Sequence, residues 1–179
     1  MQKIIYKWFW LWNFDKEEKW LNEMAAKGFA LTGVGLCRFE FEDCAPGENN
    51  IRMEMLKNSI THPESHKYIR FLEETGVEHV GTIYRWVYFR KKSGKAPFDL
   101  FSDIDSRIRH LNRTLTIPGV LGVVNMLNAI NMTHGLVNNK DYYLFPAIVS
   151  WAASLLMIYG FIRIYLKKLQ LKKERLLHE

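Results

Sequence analysis

The stretch YYLFPAIVSWAASLLMIYGFIRIYL, residues 142–166, decides the architecture of this chain. Its first 21 residues carry no charge, two tyrosines open it, and the basic sequence KKLQLKK follows it. At about 1.5 Å of rise per residue, a helix of this length crosses the hydrocarbon core of a bilayer, and aromatic and basic flanks are typical of membrane spans. The sequence therefore predicts a transmembrane helix over about 142–166.

A second, weaker span precedes it over about residues 115–132. This segment is uncharged, with Pro118 expected in its first turn, but it carries an asparagine at every third position near its end. Asparagine in lipid needs a hydrogen-bonding partner, and small residues allow two helices to approach closely. We therefore predict a transmembrane hairpin in which the asparagines serve packing of the two helices or self-association, and not a ligand or ion site. The residues proposed for this packing are Asn125, Asn128, Asn131, Ser150 and Ser154.

The positive charge of the chain is concentrated beyond the second span. The formal net charge is +6, yet residues 1–113 hold 18 basic and 16 acidic residues, whereas residues 163–179 hold 6 and 2. Basic residues flank cytoplasmic ends of membrane spans, so we expect a multi-pass protein of the cell membrane with both termini in the cytoplasm. The lipid bilayer is its expected partner, with a membrane protein or a second copy as further candidates. The nearly neutral N-terminal part argues against nucleic acid as a partner.

The N-terminal part alternates strand-like and helical patterns. The aromatic run Ile4–Trp12 predicts a strand, and residues 16–28 predict a helix that is capped by Asn13 or Asp15 and ended by Gly28. Phe29–Glu42 alternates apolar and polar side chains and predicts a strand. After the turn CAPGENN, Ile51–Leu56 is expected to pair with that strand as the second arm of a hairpin.

A second helix and a last extended stretch complete this domain. Thr61 is expected to cap the helix with Glu64 as its capping-box partner, and Gly76 to end it. Val77–Arg90 predicts one bent strand or two, because Gly81 can host a bulge. The order strand–helix–strand–strand–helix–strand predicts an α+β fold of the ferredoxin-like type, βαββαβ.

These patterns divide the chain into four parts. The predicted parts are a ferredoxin-like cytosolic domain over residues 1–92, a linker with an amphipathic juxtamembrane helix over 93–113, a transmembrane helical hairpin over 114–166, and a basic cytosolic tail over 167–179.

The domain is unusually rich in aromatic residues at its two ends. In a ferredoxin-like sheet the first and last strands are neighbours, so these rings are expected on one sheet face, where they form core under the helices. Rings that remain uncovered would instead form a surface for a ligand or a protein partner. The residues of this candidate surface are Trp8, Trp10, Trp12, Tyr84, Trp86 and Tyr88.

Sequence signatures of catalysis are absent from the chain. His62 and His66 flank Glu64, but HxExH is not the HExxH arrangement of a zinc hydrolase, and we interpret the pair as cap and surface residues. Cys37 and Cys44 are expected to be reduced thiols, since two cysteines complete neither a zinc site nor a disulfide scaffold. We predict no catalytic residue, no metal and no cofactor.

Four segments resemble a known bacterial family, the domain of unknown function 2812. They are KWFWLWNFDKEEKWLNEMAAKGFAL (7–31), CRFEFEDCAPGE (37–48), FLEETGVEHVGTIYRWVYFRKK (71–92) and FDLFSDIDSRIRHLNR (98–113). The resemblance implies hydrophobic C-terminal segments and genes that stand beside those of PadR-type transcription regulators. It implies no activity and no catalytic residues.

Together these patterns favour a non-enzymatic, membrane-anchored sensor, adaptor or regulatory protein. A cytosolic domain would bind a ligand or a protein partner, and the hairpin would hold that domain at the membrane. The alternative is an accessory subunit of a membrane transport complex, in which the asparagine-bearing span packs on a larger protein. An enzyme acting at the membrane surface is the third and least favoured hypothesis.

Overall fold

The structure, a computed structural model, describes residues 2–94, 104–138 and 141–178, and the side chains of residues 141, 177 and 178 are outside the description. The chain separates into two compact units, Met1–Ser102 and Asp103–Glu179.

The first unit contains six strands and two helices arranged as two antiparallel sheets. In chain order the elements are β1 (Gln2–Tyr6), α1 (Phe14–Ala26), β2 (Phe29–Gly35), β3 (Arg38–Asp43), β4 (Asn49–Met55), α2 (Pro63–Glu74), β5 (Glu78–Ile83) and β6 (Trp86–Lys92). Sheet A has the strand order β1-β3-β2, and sheet B has the order β4-β6-β5. The α+β class is therefore as predicted.

The ferredoxin-like order is not matched, because six strands form two sheets instead of four forming one. The predicted strand Phe29–Glu42 is a hairpin that turns at Leu36 and Cys37. Cys37 adopts a left-handed backbone with φ of +58°, a conformation that glycine or asparagine usually signals, so the turn has no sequence mark. Consequently β4 pairs with β6 and not with Phe29–Glu42 as predicted.

The first strand is also shorter than predicted. β1 ends at Tyr6, and residues 11–13 form a 3-10 turn that leads into α1. The last extended stretch is two strands, β5 and β6, with a register shift between His79 and Gly81, which agrees with the predicted bulge. Both helices end as predicted, since Gly28 and Gly76 have φ values of +87° and +80°.

The cap of α2 differs from the prediction. His62 is the N-cap in place of Thr61, and its Nδ1 accepts a hydrogen bond from the Glu64 N–H at 3.2 Å. Pro63 occupies the first helical position. A backbone N–H at this position has no partner within the helix, so proline loses no helical hydrogen bond there. His62 is therefore a structural cap residue.

The two sheets are copies of one arrangement. Each half has the order βαββ, and in each half the first strand pairs antiparallel with the third. The left-handed glycines Gly28 and Gly76 and the bulge glycines Gly33 and Gly81 are separated by the same number of residues. The first unit therefore consists of two halves with the same element order and the same strand pairing.

The two halves differ in how their central strands are covered. In β3 the buried side chains alternate, and Phe39 and Phe41 pack against Trp20 of α1 at ring distances of 5.1 and 5.8 Å. In β6 both faces are buried: Val87 and Phe89 pack in a core with Ile69, Tyr68 and Leu72 of α2, and the opposite face meets α1. This difference explains why RFEFED alternates whereas WVYF is continuously apolar.

The sheets meet along β2 and β5. A Cβ added at Gly81 would lie 2.8 Å from Cγ2 of Val34, so the strands approach too closely for any larger residue. Arg90 of β6 reaches across β5 and donates from Nη1 to the Leu31 carbonyl at 2.8 Å, while Nη2 holds Glu78 at 2.7 Å. Gly81 thus allows the two sheets to approach closely, and Arg90 makes a hydrogen bond between them.

The second unit is an antiparallel pair of long helices, α3 (Ile104–Val137) and α4 (Leu144–His178). The predicted juxtamembrane helix and first span form a single helix from Ile104, and Pro118 lies buried in its interior and not in its first turn. The helix α4 likewise continues through the predicted tail. Residues 95–103, which include the end of the predicted linker and the start of the predicted juxtamembrane helix, lie outside the described residues.

Candidate functional site

The end of sheet A carries a concentration of exposed aromatic residues. β1 ends at Tyr6, which pairs with Arg38 at the start of β3. The next residue, Lys7, donates its backbone N–H to the Cys37 carbonyl at 2.9 Å. The segment that follows β1 therefore leaves the sheet beside the β2–β3 turn. Trp8, the first tryptophan of this segment, comes directly after Lys7.

Three tryptophans then form a graded series from solvent to core. The rings of Trp8 and Trp10 meet edge to face at 5.5 Å, and those of Trp10 and Trp12 stack at 5.1 Å with an angle of 7°. Trp8 is 59 % exposed, Trp10 is 40 % exposed and Trp12 is 3 % exposed. Trp12 thus anchors the exposed pair to the folded domain.

We name four exposed side chains at this end the aromatic tip: Tyr6, Trp8, Trp10 and Leu36. Two cations border it. Lys7 lies over the Trp20 ring at 4.4 Å from its centroid, and Arg38 makes an ion pair with Glu40. An apolar surface that ends in aromatic rings and is bordered by cations can bind an amphipathic partner, because such rings combine an apolar body with a polar edge.

The other predicted aromatic residues are dispersed. Tyr84 is exposed in the β5–β6 turn with φ of +58°. Trp86 is buried against Phe14 at 5.3 Å, and Tyr88 is buried with its hydroxyl bound to Glu17. β1 and β6 belong to different sheets, so the expected single aromatic face does not form.

A pair of carboxylates on α1 lies beneath sheet B. Tyr88 donates from its hydroxyl to Glu17 Oε1 at 2.6 Å, and Met53 donates its backbone N–H to Glu18 Oε2 at 2.8 Å. Burial raises the pKa of Glu17 above its ordinary value despite the Tyr88 hydrogen bond. Burial likewise raises the pKa of Glu18, against the opposing effects of the Met53 N–H and the Arg52 guanidinium.

Sequence reasoning missed this pair. The residues stand in the first turns of an amphipathic helix, where acidic side chains ordinarily face solvent and interact with the helix dipole. Only the contact of α1 with β4 and β6 brings them under cover. Their partners are the Met53 backbone, the Tyr88 hydroxyl and the Arg52 guanidinium, which donates to Glu18 Oε1 at 2.7 Å, and all three belong to strands of sheet B. These contacts indicate a structural role.

The polar residues of the second unit have three different environments. Ser154 is buried between the helices, and its Oγ donates to the Gly122 carbonyl at 3.4 Å. Asn125 is partly buried and donates from Nδ2 to Leu121 of its own helix at 2.8 Å. Asn128 and Asn131 are exposed on α3, and Ser150 is partly buried on α4. Ser154 therefore bonds to the backbone of α3 and not to an asparagine side chain.

The contact between the helices depends on small residues. A Cβ on Gly122 would lie 3.4 Å from Cβ of Met157, and one on Gly135 would lie 2.4 Å from the Tyr143 ring.

The described residues contain no group of three or more His, Cys, Asp or Glu side chains that could hold a metal ion.

These features define a class: an α+β domain of two βαββ halves, joined in sequence to two helices that are long and apolar enough to cross a membrane. The family described as "Protein of unknown function (DUF2812)" matches residues 13–122, which is more than half of the chain. The chain belongs to this family. Neither curated proteins nor solved structures include a significant match to the chain.

Proposed function

We propose that this protein is a non-enzymatic, membrane-anchored sensor, adaptor or regulatory protein whose α+β domain lies in the cytoplasm and engages a partner. The observation that carries the proposal is the combination of an exposed aromatic tip with two apolar helices in one chain. Such a chain places a recognition surface at a membrane.

The exposure of the two helices supports the membrane anchor. In their most apolar windows only 22 % and 17 % of the residues are buried within the protein, whereas a core helix of a soluble protein is mostly buried. Large apolar side chains cover the outer surfaces, for example Leu127, Phe145 and Leu155. A soluble protein rarely exposes a continuous surface of this kind, and lipid satisfies it.

The distribution of basic residues supports cytoplasmic termini. The end of α4 carries Lys167, Lys168, Lys172, Lys173 and Arg175, and Arg175 pairs with Asp105 near the start of α3 at 2.9 Å. Both ends of the hairpin are thus adjacent, and their basic residues favour the cytoplasmic side.

The two native cysteines provide a test of this topology. Cys37 and Cys44 are free, partly exposed and located in the first unit. A membrane-impermeant maleimide should leave the wild-type protein unlabelled in intact cells and label it after permeabilisation. The variant Asn138→Cys, at the exposed residue that follows α3, should be labelled in intact cells. Labelling of wild-type protein from outside would refute a cytoplasmic domain.

Purification in mild detergent tests the partner role. A sensor or adaptor should retain a regulatory or signalling protein, and changing Trp8 and Trp10 together to serine shows whether that protein binds at the aromatic tip or elsewhere on the domain. Phe71→Ser, which removes an exposed aromatic residue from α2, is the matched control. A protein that is recovered alone, with a lipid pool altered by its deletion, would instead indicate an enzyme.

A second candidate function is an accessory subunit of a membrane transport complex. The exposed Asn128 and Asn131 favour it, because an amide facing lipid is unfavourable unless another helix supplies a hydrogen bond. Under this alternative a transporter should copurify, and Asn128→Leu with Asn131→Leu should release it while the serine variants of the aromatic tip do not.

A further inference from the structure

We infer that the aromatic tip docks on the anionic headgroup region of the bilayer that holds the hairpin. This inference rests on the proposed membrane anchorage and names the surface on which the cytosolic domain would rest.

The residue types of the tip are those that favour the membrane interface. Trp8 and Trp10 are 59 % and 40 % exposed, Tyr6 is 73 % exposed and Leu36 is 79 % exposed. Tryptophan and tyrosine concentrate at the headgroup level, because a ring with one polar edge is satisfied where apolar and aqueous regions meet. Leu36 stands at the tip of a two-residue turn, from which an apolar side chain can enter the interface.

The charge around the tip complements anionic lipid. Lys7 adjoins Tyr6, and residues 1–14 contain no acidic residue. Lys3 lies toward the other end of β1, with its amine 4.5 Å from the centroid of the Phe29 ring. Arg38 begins β3 beside Tyr6, and its ion-pair partner Glu40 is the nearest carboxylate along that strand. Acidic residues increase only at the opposite end of sheet A, where Glu42 and Asp43 are exposed. Near the tip, Lys7 and Arg38 thus stand against one carboxylate, Glu40, whereas at the other end of the sheet Lys3 stands against two, Glu42 and Asp43. The tip end is therefore the end better suited to an anionic surface.

The tip is preorganised for docking. Trp10 stacks on the buried Trp12, and the Lys7 N–H holds the departing chain against the β2–β3 turn. Ordering the rings on binding therefore requires little additional loss of conformational freedom.

The size of the tip favours lipid over a protein partner. At these exposures the four side chains present roughly 500 Å² by the usual areas of aromatic residues, whereas a stable protein interface buries about 800 Å² per partner. A domain already linked to membrane helices needs only a weak contact with lipid, because the link supplies a high effective concentration of surface.

The native cysteines serve as matched probes for this contact. Cys37 lies in the turn of the tip, and Cys44 follows β3 at the other end of the sheet, about 20 Å away at the rise of a strand. Both labelled proteins are full-length. In the variant Cys44→Ser an environment-sensitive fluorophore is attached to Cys37, and in the variant Cys37→Ser it is attached to Cys44. Each labelled protein is reconstituted in vesicles of phosphatidylcholine and phosphatidylglycerol that contain a nitroxide-bearing lipid.

The expected result is quenching of the Cys37 label at least twofold greater than that of the Cys44 label. Changing Trp8 and Trp10 to serine should abolish the difference, whereas Phe71→Ser should preserve it. Lys7→Glu should weaken docking on phosphatidylglycerol by more than fivefold, since a basic residue near an anionic surface contributes roughly fivefold and the substitution also adds repulsion. Lys27→Glu, at the other end of the sheet, is its control and should have little effect.

The inference would be overturned by equal quenching at both positions, by a Cys37 label that stays in water, or by quenching that persists without Trp8 and Trp10. Shielding of Cys37 in native membranes but not in pure lipid would assign the tip to a protein and also overturn lipid docking. Flotation of the vesicles separates these results from a failure of anchorage, because an unanchored chain would not float with the lipid at all.

Discussion

The side-chain amide of Asn22 on α1 takes the place of a neighbouring strand at Ile51 of β4. Its Nδ2 donates to the Ile51 carbonyl at 2.8 Å, and its Oδ1 accepts from the Ile51 N–H at 2.9 Å. Glu18 continues this pattern by accepting from the Met53 N–H. The outer edge of sheet B is thereby closed to further strand pairing, which is one way in which proteins protect edge strands.

Replacing Asn22 by leucine should destabilise the first unit by about 2–3 kcal/mol, because two backbone groups of Ile51 lose their partners. Urea unfolding in lipid nanodiscs can be followed by tryptophan fluorescence, since five of the six tryptophans lie in this unit. The exposed Lys19 on the same helix is the control, and Lys19→Leu should change stability by less than about 0.5 kcal/mol. Equal effects of the two substitutions would contradict the role of Asn22.

Gly81→Ala should destabilise the junction of the sheets by about 1–3 kcal/mol, because the new methyl group would overlap Val34 Cγ2. Adding Val34→Ala removes the overlapping atom and should recover part of the loss. Gly33→Ala is the matched comparison: its Cβ would meet the flexible Glu40 carboxylate at 3.1 Å, so its effect should be smaller. Additive effects of Gly81→Ala and Val34→Ala in the unfolding measurement would refute the close approach.

Glu17→Gln should reduce the pH dependence of stability. The folded state raises the pKa of Glu17 through burial, so it binds the proton more tightly than the unfolded state. This contribution is fully present below the unfolded pKa of about 4.3 and is lost as pH rises through the higher folded pKa. The variant should gain stability relative to wild type as pH increases from 4 to 7, in urea titrations at each pH. Parallel pH profiles of the two proteins would show that the raised pKa is absent.

Asn128→Leu combined with Asn131→Leu should lower self-association of the membrane unit, if their exposed amides bind the same residues of a second copy. Copies inserted with the same orientation place these amides at equal depth, where each can donate and accept. Energy transfer between labelled copies in vesicles should fall severalfold. Met126→Leu, which replaces another exposed residue of α3, is the control. Unchanged transfer would leave the asparagines without a role in assembly of identical copies.

Features that depend on a few neighbouring residues were predictable. The absence of charge over residues 142–162 indicates a membrane-capable helix from length and hydropathy alone. Gly28 and Gly76 mark helix ends because a left-handed backbone is easiest for glycine. Gly81 marks the bulge because glycine is frequent where another strand approaches closely, as Val34 does here. The similarity of four segments also indicated the family to which the chain belongs.

Strand pairing was not predictable, because it joins segments far apart in the chain. The run 29–42 has the alternation of one strand, yet it folds as a hairpin around Cys37, whose positive φ no local residue type announces. Because β2 and β3 pair with each other, β4 does not pair with this segment as predicted. It pairs with β6 instead, and the strand order differs from the ferredoxin-like one. Hydrophobic alternation specifies which face of a strand is buried but not which strand lies beside it.

The sequence established that the chain has two membrane-capable helices, an α+β domain and an excess of tryptophan near its start, because length, apolarity and residue type are local quantities. The tertiary structure alone decided that Trp12 is buried while Trp8 and Trp10 are exposed, and that Glu17 and Glu18 lie beneath a sheet. The three tryptophans are chemically identical, and their burial differs because other segments of the chain pack over Trp12 but not over Trp8 and Trp10.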